Sequence, residues 1–102
     1  MKFSIDVLIC TDSDGPFGKA TGTIELEVTP QIGDTISFAF PRGLARVVGF
    51  NGMLWVKDRI LNAGGGSNVL LALNDLLVAT LEEASVVAAY LEKGFGLGIH
   101  TY

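Results

Sequence analysis

Cysteine, histidine and tryptophan each occur once in this sequence, as Cys10, His100 and Trp55. A lone cysteine excludes an intramolecular disulfide and any zinc site built on thiolate pairs. Basic residues are also scarce, 7 Lys and Arg against 11 Asp and Glu. The resulting net charge of −4 argues against a nucleic-acid binder, because phosphate neutralisation dominates that kind of affinity. Long apolar runs free of charge are missing too. The most membrane-like window, residues 69–91, contains Asp75, Glu82 and Glu83, each costing about 2.5–3.5 kcal/mol near a bilayer centre. No membrane-spanning helix is expected. At the N-terminus Asp6 interrupts the first apolar run and no small-residue cleavage site follows, so the start does not read as a signal peptide and a cytoplasmic address is expected.

What is present is apolar material in excess. The chain has 102 residues, enough for a single domain that buries roughly two thirds of its unfolded surface without metals or disulfides. Yet 49% of it is hydrophobic and the mean hydropathy is +0.46, more than one core of this size hides. A homo-oligomer or one protein partner is the expectation.

Residues 23–40 are the clearest strand-forming stretch. Ile24, Leu26 and Val28 alternate with Thr23, Glu25, Glu27 and Thr29, and Ile36, Phe38 and Phe40 alternate with Thr35, Ser37 and Ala39. Between the two runs lie Pro30, which donates nothing to a ladder, and Gly33-Asp34, suited to a tight turn. The expected unit is a two-stranded antiparallel pair with a wide corner. Residues 1–10 alternate Phe3, Ile5, Val7 and Ile9 against Lys2, Ser4 and Asp6, with Leu8 and Cys10 apolar on the other face, the pattern of a central strand. Residues 11–22, dense in Asp, Gly, Ser and Thr, read as a loop or wide hairpin connection.

Asn51-Gly52 separates two further β-type runs, residues 44–50 and 53–61. A type I′ hairpin there sets Phe50 against Met53, Val48 against Trp55 and Arg46 against Lys57. The last pairing puts like charges opposite each other, which requires a bulge or an anionic group nearby. Residues 62–68, rich in Gly, read as a flexible connector. Residues 68–73 and 76–79 read as short strands. Thr80-Leu81-Glu82-Glu83 is a capping box that starts a helix, with Lys93 in its last turn and Gly94 placed as the left-handed cap. Leu81, Ala84, Val87, Ala88 and Leu91 form its apolar stripe. Phe95, Leu97, Ile99 and Thr101 then alternate with Gly96, Gly98, His100 and Tyr102 as a last strand, one face of which is nearly bare.

Few constellations carry chemistry. Asp12-Ser13-Asp14-Gly15 opens like a calcium loop but has Pro16 and Thr23 where ligands are needed, so it reads as a polar turn. Gly64-Gly65-Gly66-Ser67 lacks the Lys-Ser or Lys-Thr of a phosphate loop. A Cys10–His100 pair would need the two brought together by the fold, which nothing in the sequence requires. Glu83 is accounted for by the capping box, and no catalytic, cofactor-binding or metal-ligating residues are assigned. The basic residues are more informative. Arg42, Arg46, Lys57 and Arg59 lie on the expected hairpin and its approach, beside Phe50, Met53 and Trp55. Aromatic and Arg side chains are enriched at interface hot spots, so these seven form the candidate interaction face.

The corner Pro30, Gly33, Asp34 and Ile36, followed by a Trp-bearing hairpin and a late helix, resembles a loose group of small bacterial or phage domains of uncharacterised function. That resemblance implies a curled antiparallel sheet with one helix and transfers no activity. The expected fold is α+β: six or seven strands in a curved antiparallel sheet or partly open barrel with one helix in the C-terminal half packed on it. The expected function is a non-enzymatic protein-interaction module, an adaptor or an inhibitor or immunity-like protein, without a cofactor. The alternative is a small-molecule binder or minimal enzyme using the concave sheet face near Arg46, Trp55 and Arg59.

Overall fold

Apolar residues at every second position of residues 3–9 make one strand the spine of the molecule. In the computed structural model, which describes residues 1–38, 50–61 and 69–102, this strand is β1 (Lys2–Thr11). It is followed by β2 (Gly15–Glu25), β3 (Thr35–Ser37), β4 (Met53–Ile60), β5 (Leu70–Leu73), β6 (Leu76–Val78), helix α1 (Leu81–Phe95) and β7 (Gly98–Thr101). Among the described residues the seven strands form one open sheet in the order β3-β4-β5-β1-β2-β7, with β6 also paired to β1. The fold is α+β, as the sequence implies, and the sheet is mostly antiparallel. Two pairings depart from the expected pattern, because β5 and β6 both run parallel to β1.

β1 owes its central place to its two faces and two edges. Phe3, Ile5, Val7 and Ile9 are buried on the inner face, the face covered by α1. One edge pairs with β2 along its whole length, from Lys2↔Glu25 to Thr11↔Gly15. The other edge takes β5 at Ser4↔Leu70 to Asp6↔Ala72 and β6 at Ile9↔Leu76 to Thr11↔Val78. Asn74 and Asp75 lie between β5 and β6, and the pairing to β1 shifts by one position across them, so the two behave as one strand broken by a bulge.

The segment read as a loop or wide hairpin connection, residues 11–22, does join a hairpin of β1 and β2, but it is mostly strand. Asp12 to Asp14 make a tight turn in which the Thr11 hydroxyl accepts from the Asp14 amide at 2.9 Å and donates to the Gly15 carbonyl at 3.1 Å. Gly15 has a φ of 74°, open to glycine, and β2 begins there. Its loop-like composition has a packing cause. Gly18, Ala20 and Gly22 pair with Ile9, Val7 and Ile5 on the inner face, where α1 and β7 lie close. A Cβ on Gly18 would stand 2.5 Å from the His100 carbonyl oxygen, and one on Gly22 would stand 2.8 Å from Leu97 Cδ2.

The two runs of residues 23–40 do not pair with each other. Thr23 to Glu25 end β2, whose edges are taken by β1 and, up to Thr21, by β7. The chain then leaves the sheet and returns as β3 at its far edge, paired with β4. Val28, expected on an apolar face, is 71% exposed. The corner itself forms as read: Asp34 N–H donates to the Gln31 carbonyl at 3.0 Å, Gln31 N–H donates to the Asp34 carboxylate at 2.7 Å, and Gly33 has a φ of 94°. It docks on β4 rather than on its own flanks, through Gly33 N–H to the Val56 carbonyl and Val56 N–H to the Asp34 carbonyl.

Val48, expected opposite Trp55, lies outside the described residues. Trp55 has Thr35 of β3 on one side and Asn74 on the other, so both its edges are filled. Asn51 does not take the positive φ a type I′ turn needs, whereas Gly52 does, at 86°. Asn51 Oδ1 instead accepts from the Met53 amide at 2.9 Å. The strand expected at residues 44–50, apart from Phe50, and the connector at residues 62–68 lie outside the described residues.

Helix α1 starts as read. The Thr80 hydroxyl accepts from Glu83 N–H at 3.2 Å, and the Glu83 carboxylate accepts from Ala79 N–H at 3.0 Å. It buries Ala84, Val87, Ala88, Tyr90 and Leu91, while Leu81 stays exposed. The cap is Gly96, not Gly94, at φ 68°, with its N–H on the Glu92 carbonyl. The extra residues are held by Phe95, whose ring meets Phe38 edge-on at a centroid distance of 5.0 Å and Tyr90 at 5.9 Å.

Gly18→Ala is expected to destabilise the fold by about 1–3 kcal/mol, since the carbonyl it meets is backbone. Gly22→Ala is expected to cost less, because it meets the end of a side chain. Urea unfolding of the two variants gives the order, and an equal or reversed cost would contradict the close approach of β7 to β2.

Candidate interaction surface

With α1 over the inner face, the outer face of the sheet is where side chains are accessible. Residues paired across strands share a face, so the register assigns it: Ser4, Asp6, Leu8 and Cys10 of β1, Lys19 and Thr21 of β2, Leu70 and Ala72 of β5, Leu77 of β6 and His100 of β7. β4 adds Met53 and Trp55, which alternate with the buried Leu54 and Val56. Its pairing to β5 shifts between Val56 and Asp58, and beyond that point Ile60 joins the outer face opposite Leu70. Trp55 is 45% exposed and Leu77 59%, with Met53 and Ile60 similar.

The candidate face read from the sequence therefore divides. Met53, Trp55 and Lys57 lie together on the outer face. Phe50 is buried and packs edge-on against Tyr90, ring centroids 6.0 Å apart, so it belongs to the core. Arg59 pairs with Leu71 on the inner side, half-buried, its Nε buried without a hydrogen-bond partner among the described residues. Arg42 and Arg46 lie outside the described residues, and so does the Arg46–Lys57 pairing. Lys57 does have an anionic neighbour, the Asp75 carboxylate at 3.9 Å, and it stands at the register shift of β4.

Trp55 is held by the bulge between β5 and β6. Its N–H donates to Asn74 Oδ1 at 2.7 Å and its carbonyl accepts from Asn74 N–H at 3.0 Å. The same bulge brings Asp75 toward Lys57. A shallow depression of about 230 Å³ opens beside them, floored by Leu8 and Ala72 and walled by Asp6, Lys19, Lys57, Asp75 and Tyr102. Lys19 Nζ lies 2.9 Å from the Asp6 carboxylate, a hydrogen bond that raises the lysine pKa. Both cations of the depression thus have a carboxylate partner, and the exposed pairs fix orientation more than they add stability.

Lys19, Leu77 and Asp75 were not singled out by sequence reasoning. Lys19 sits in the stretch that reads as loop. Leu77 sits in an apolar run without period, and only pairing to Cys10 tells that it faces outward.

Cys10 and His100 lie on β1 and β7 with β2 between them, about 10 Å apart by strand spacing alone. Burial, with a smaller effect from the Asp75 charge, pushes the Cys10 thiol up, the opposite of what a nucleophile needs. Among the described residues, no group of His, Cys, Asp and Glu side chains could hold a metal ion, and no helix is long and apolar enough to cross a membrane. Comparison with protein-family models, curated proteins and solved structures finds no match to this chain.

Two outcomes are expected. Cys10 should react with iodoacetamide at pH 7 several-fold more slowly than free cysteine and reach the free rate on unfolding; a rate above free cysteine would mean an activated thiol. Asn74→Ala should cost about 1 kcal/mol, the price of an unmet Trp55 N–H, and should shift Trp55 fluorescence. An unchanged spectrum and midpoint would contradict that contact.

Proposed function

We propose that this chain is a non-enzymatic protein-interaction module, an adaptor or an inhibitor-type protein, that self-associates through the outer face of its sheet. The observation that carries this reading is the group Met53, Trp55, Ile60 and Leu77, large apolar side chains about half exposed on a face whose opposite side already holds the core. Isolated exposed apolar residues are ordinary, but several on one sheet face are the composition of an interface. The mixed charges beside them suit a symmetric contact, since in a two-fold dimer each Lys57 meets what the other copy offers and Asp75 lies beside it. The apolar surplus of the whole sequence supports the same reading. The unpaired thiol fits a reducing, cytoplasmic setting, and the net charge of −4 disfavours nucleic acid as the partner.

The alternative is a small-molecule site in the depression walled by Asp6, Lys19, Lys57 and Asp75. It would take a ligand carrying both charges, such as a zwitterion. Its volume of about 230 Å³ is below the roughly 300–1,000 Å³ usual for such sites, which favours the interaction reading.

Static light scattering tests the choice, with Trp55 emission as a second signal because the chain has one tryptophan. The expected result is a concentration-dependent rise in mass with a blue shift of Trp55 emission, both lost in Leu77→Glu, which keeps the tryptophan and charges the same exposed face. Monomer at high micromolar concentration with no shift would overturn self-association. Native mass spectrometry showing a small molecule lost in Lys19→Ala/Lys57→Ala would establish the alternative.

A further inference from the structure

A second surface lies on the opposite side of the sheet, at its β7 edge. β7 pairs with β2 through Gly18↔Thr101 to Thr21↔Gly98 and, among the described residues, is the last strand of the sheet on that side. Tyr102 N–H donates to the Phe17 carbonyl at 2.9 Å. Backbone groups alternate along an antiparallel strand, so His100 likewise faces β2 while the N–H and C=O of Ile99 and Thr101 point away from it. Edges of this kind are commonly blocked by Lys, Pro or a bulge; Gly98-Ile99-His100-Thr101 has none of these.

Beside the same edge runs a groove between β7 and α1. It is open, has a volume of about 250 Å³, and is lined by Phe17, Ala88, Ala89 and Ile99, with Glu92 the one charged residue on its wall among the described residues. The groove exists because the helix presents Ser85, Ala88, Ala89 and Glu92 on this side, small residues for most of its length. A strand added to Ile99 and Thr101 would send alternate side chains into it, the arrangement by which a sheet edge and an adjacent helix bind an extended peptide.

We infer that the β7 edge and the α1–β7 groove form a strand-addition site for an extended peptide segment of a partner protein, with aliphatic residues at alternate positions and a Lys or Arg placed to meet Glu92. Charge selects this occupant over a second copy. A second copy pairing β7 to β7 antiparallel puts both helices on the same side of the joined sheet, so that two Glu92 carboxylates flank one groove, and its own strand brings no Lys or Arg. The inference does not rest on the outer face or on self-association.

A phage-displayed random peptide library selected on the intact protein, with Ala89→Leu as the counter-selection target, tests it. Leucine at that half-exposed helical position fills the groove and favours the helix. Expected are alternating aliphatic sequences with a Lys or Arg; a synthetic peptide of the strongest should slow hydrogen exchange at the Ile99 and Thr101 amides. Its affinity should fall about tenfold in Glu92→Lys and at least as far in Ala89→Leu, a difference readily read by titration. The inference is overturned if no sequence is enriched on the wild type over Ala89→Leu, or if the peptide protects amides elsewhere. It is equally overturned if the Ile99 and Thr101 amides become protected by raising the concentration of the protein alone, which would assign the edge to a second copy.

Discussion

Everything in this structure hangs on the pairing of β1 along both its edges. A strand held by β2 on one side and by β5 and β6 on the other, and buried on its inner face from Phe3 to Ile9, loses its hydrogen bonds only if the whole sheet opens. The positions of all the other elements follow. β4 reaches β1 only through β5, β3 only through β4, and β7 only through β2. The two candidate surfaces lie at different distances from this spine: the depression opens over β1 itself, whereas the peptide groove lies two strands out.

Two kinds of packing cover the inner face, and they do different jobs. Along β2 the glycines make room, Gly18 for the backbone of His100 and Thr101 in β7 and Gly22 for Leu97 just beyond the helix, while α1 buries the small Ala84 and Ala88. At its C-terminal half large rings take over. Tyr90 OH donates to the Phe38 carbonyl at 2.6 Å, and the rings of Phe38, Phe50 and Phe95 gather around it. Burial pushes the Tyr90 phenol pKa up, which keeps it a donor across the neutral range. The helix is thus anchored at its C-terminal half, and the anchor ties α1 to the chain on either side of residues 39–49.

How far the sequence disclosed this depended on whether a signal was local. The capping box at Thr80, the period of β1 and the corner at Gly33-Asp34 are set by residues a few positions apart, and each formed as read. The pairing partners were not local. Ile24 and Ile36 each alternate correctly, yet nothing within residues 23–40 states that one belongs beside β1 and the other beside β4. β2 was hidden because the residues that let β7 and Leu97 lie close to it, Gly18 and Gly22, are those that elsewhere mark loops; their spacing at alternate positions with Ala20 was the available clue. Gly94 yielded the cap to Gly96 because Phe95 gains more from two aromatic neighbours than the helix loses by continuing through a glycine. For the surface, Met53, Trp55 and Lys57 were recoverable from alternation with Leu54 and Val56. Arg59 was not, since a change of face at the β4 register shift leaves no mark in composition, whereas the burial of Phe50 is in phase with that of Leu54 and Val56.

The parallel placement of β5 and β6 beside β1 has a consequence for how the molecule is made. A ribosome delivers β1 and β2 first, and their hairpin closes over a three-residue turn. The second edge of β1 then waits until residues 70–78 emerge, and its inner face waits longer, for α1. During that interval the nascent chain displays Phe3, Ile5, Val7 and Ile9 on a strand with one edge unpaired, the state most exposed to wrong association. Pairings so far apart along the chain also close slowly. Shelter from other chains therefore matters most for that half-made sheet, before the helix arrives.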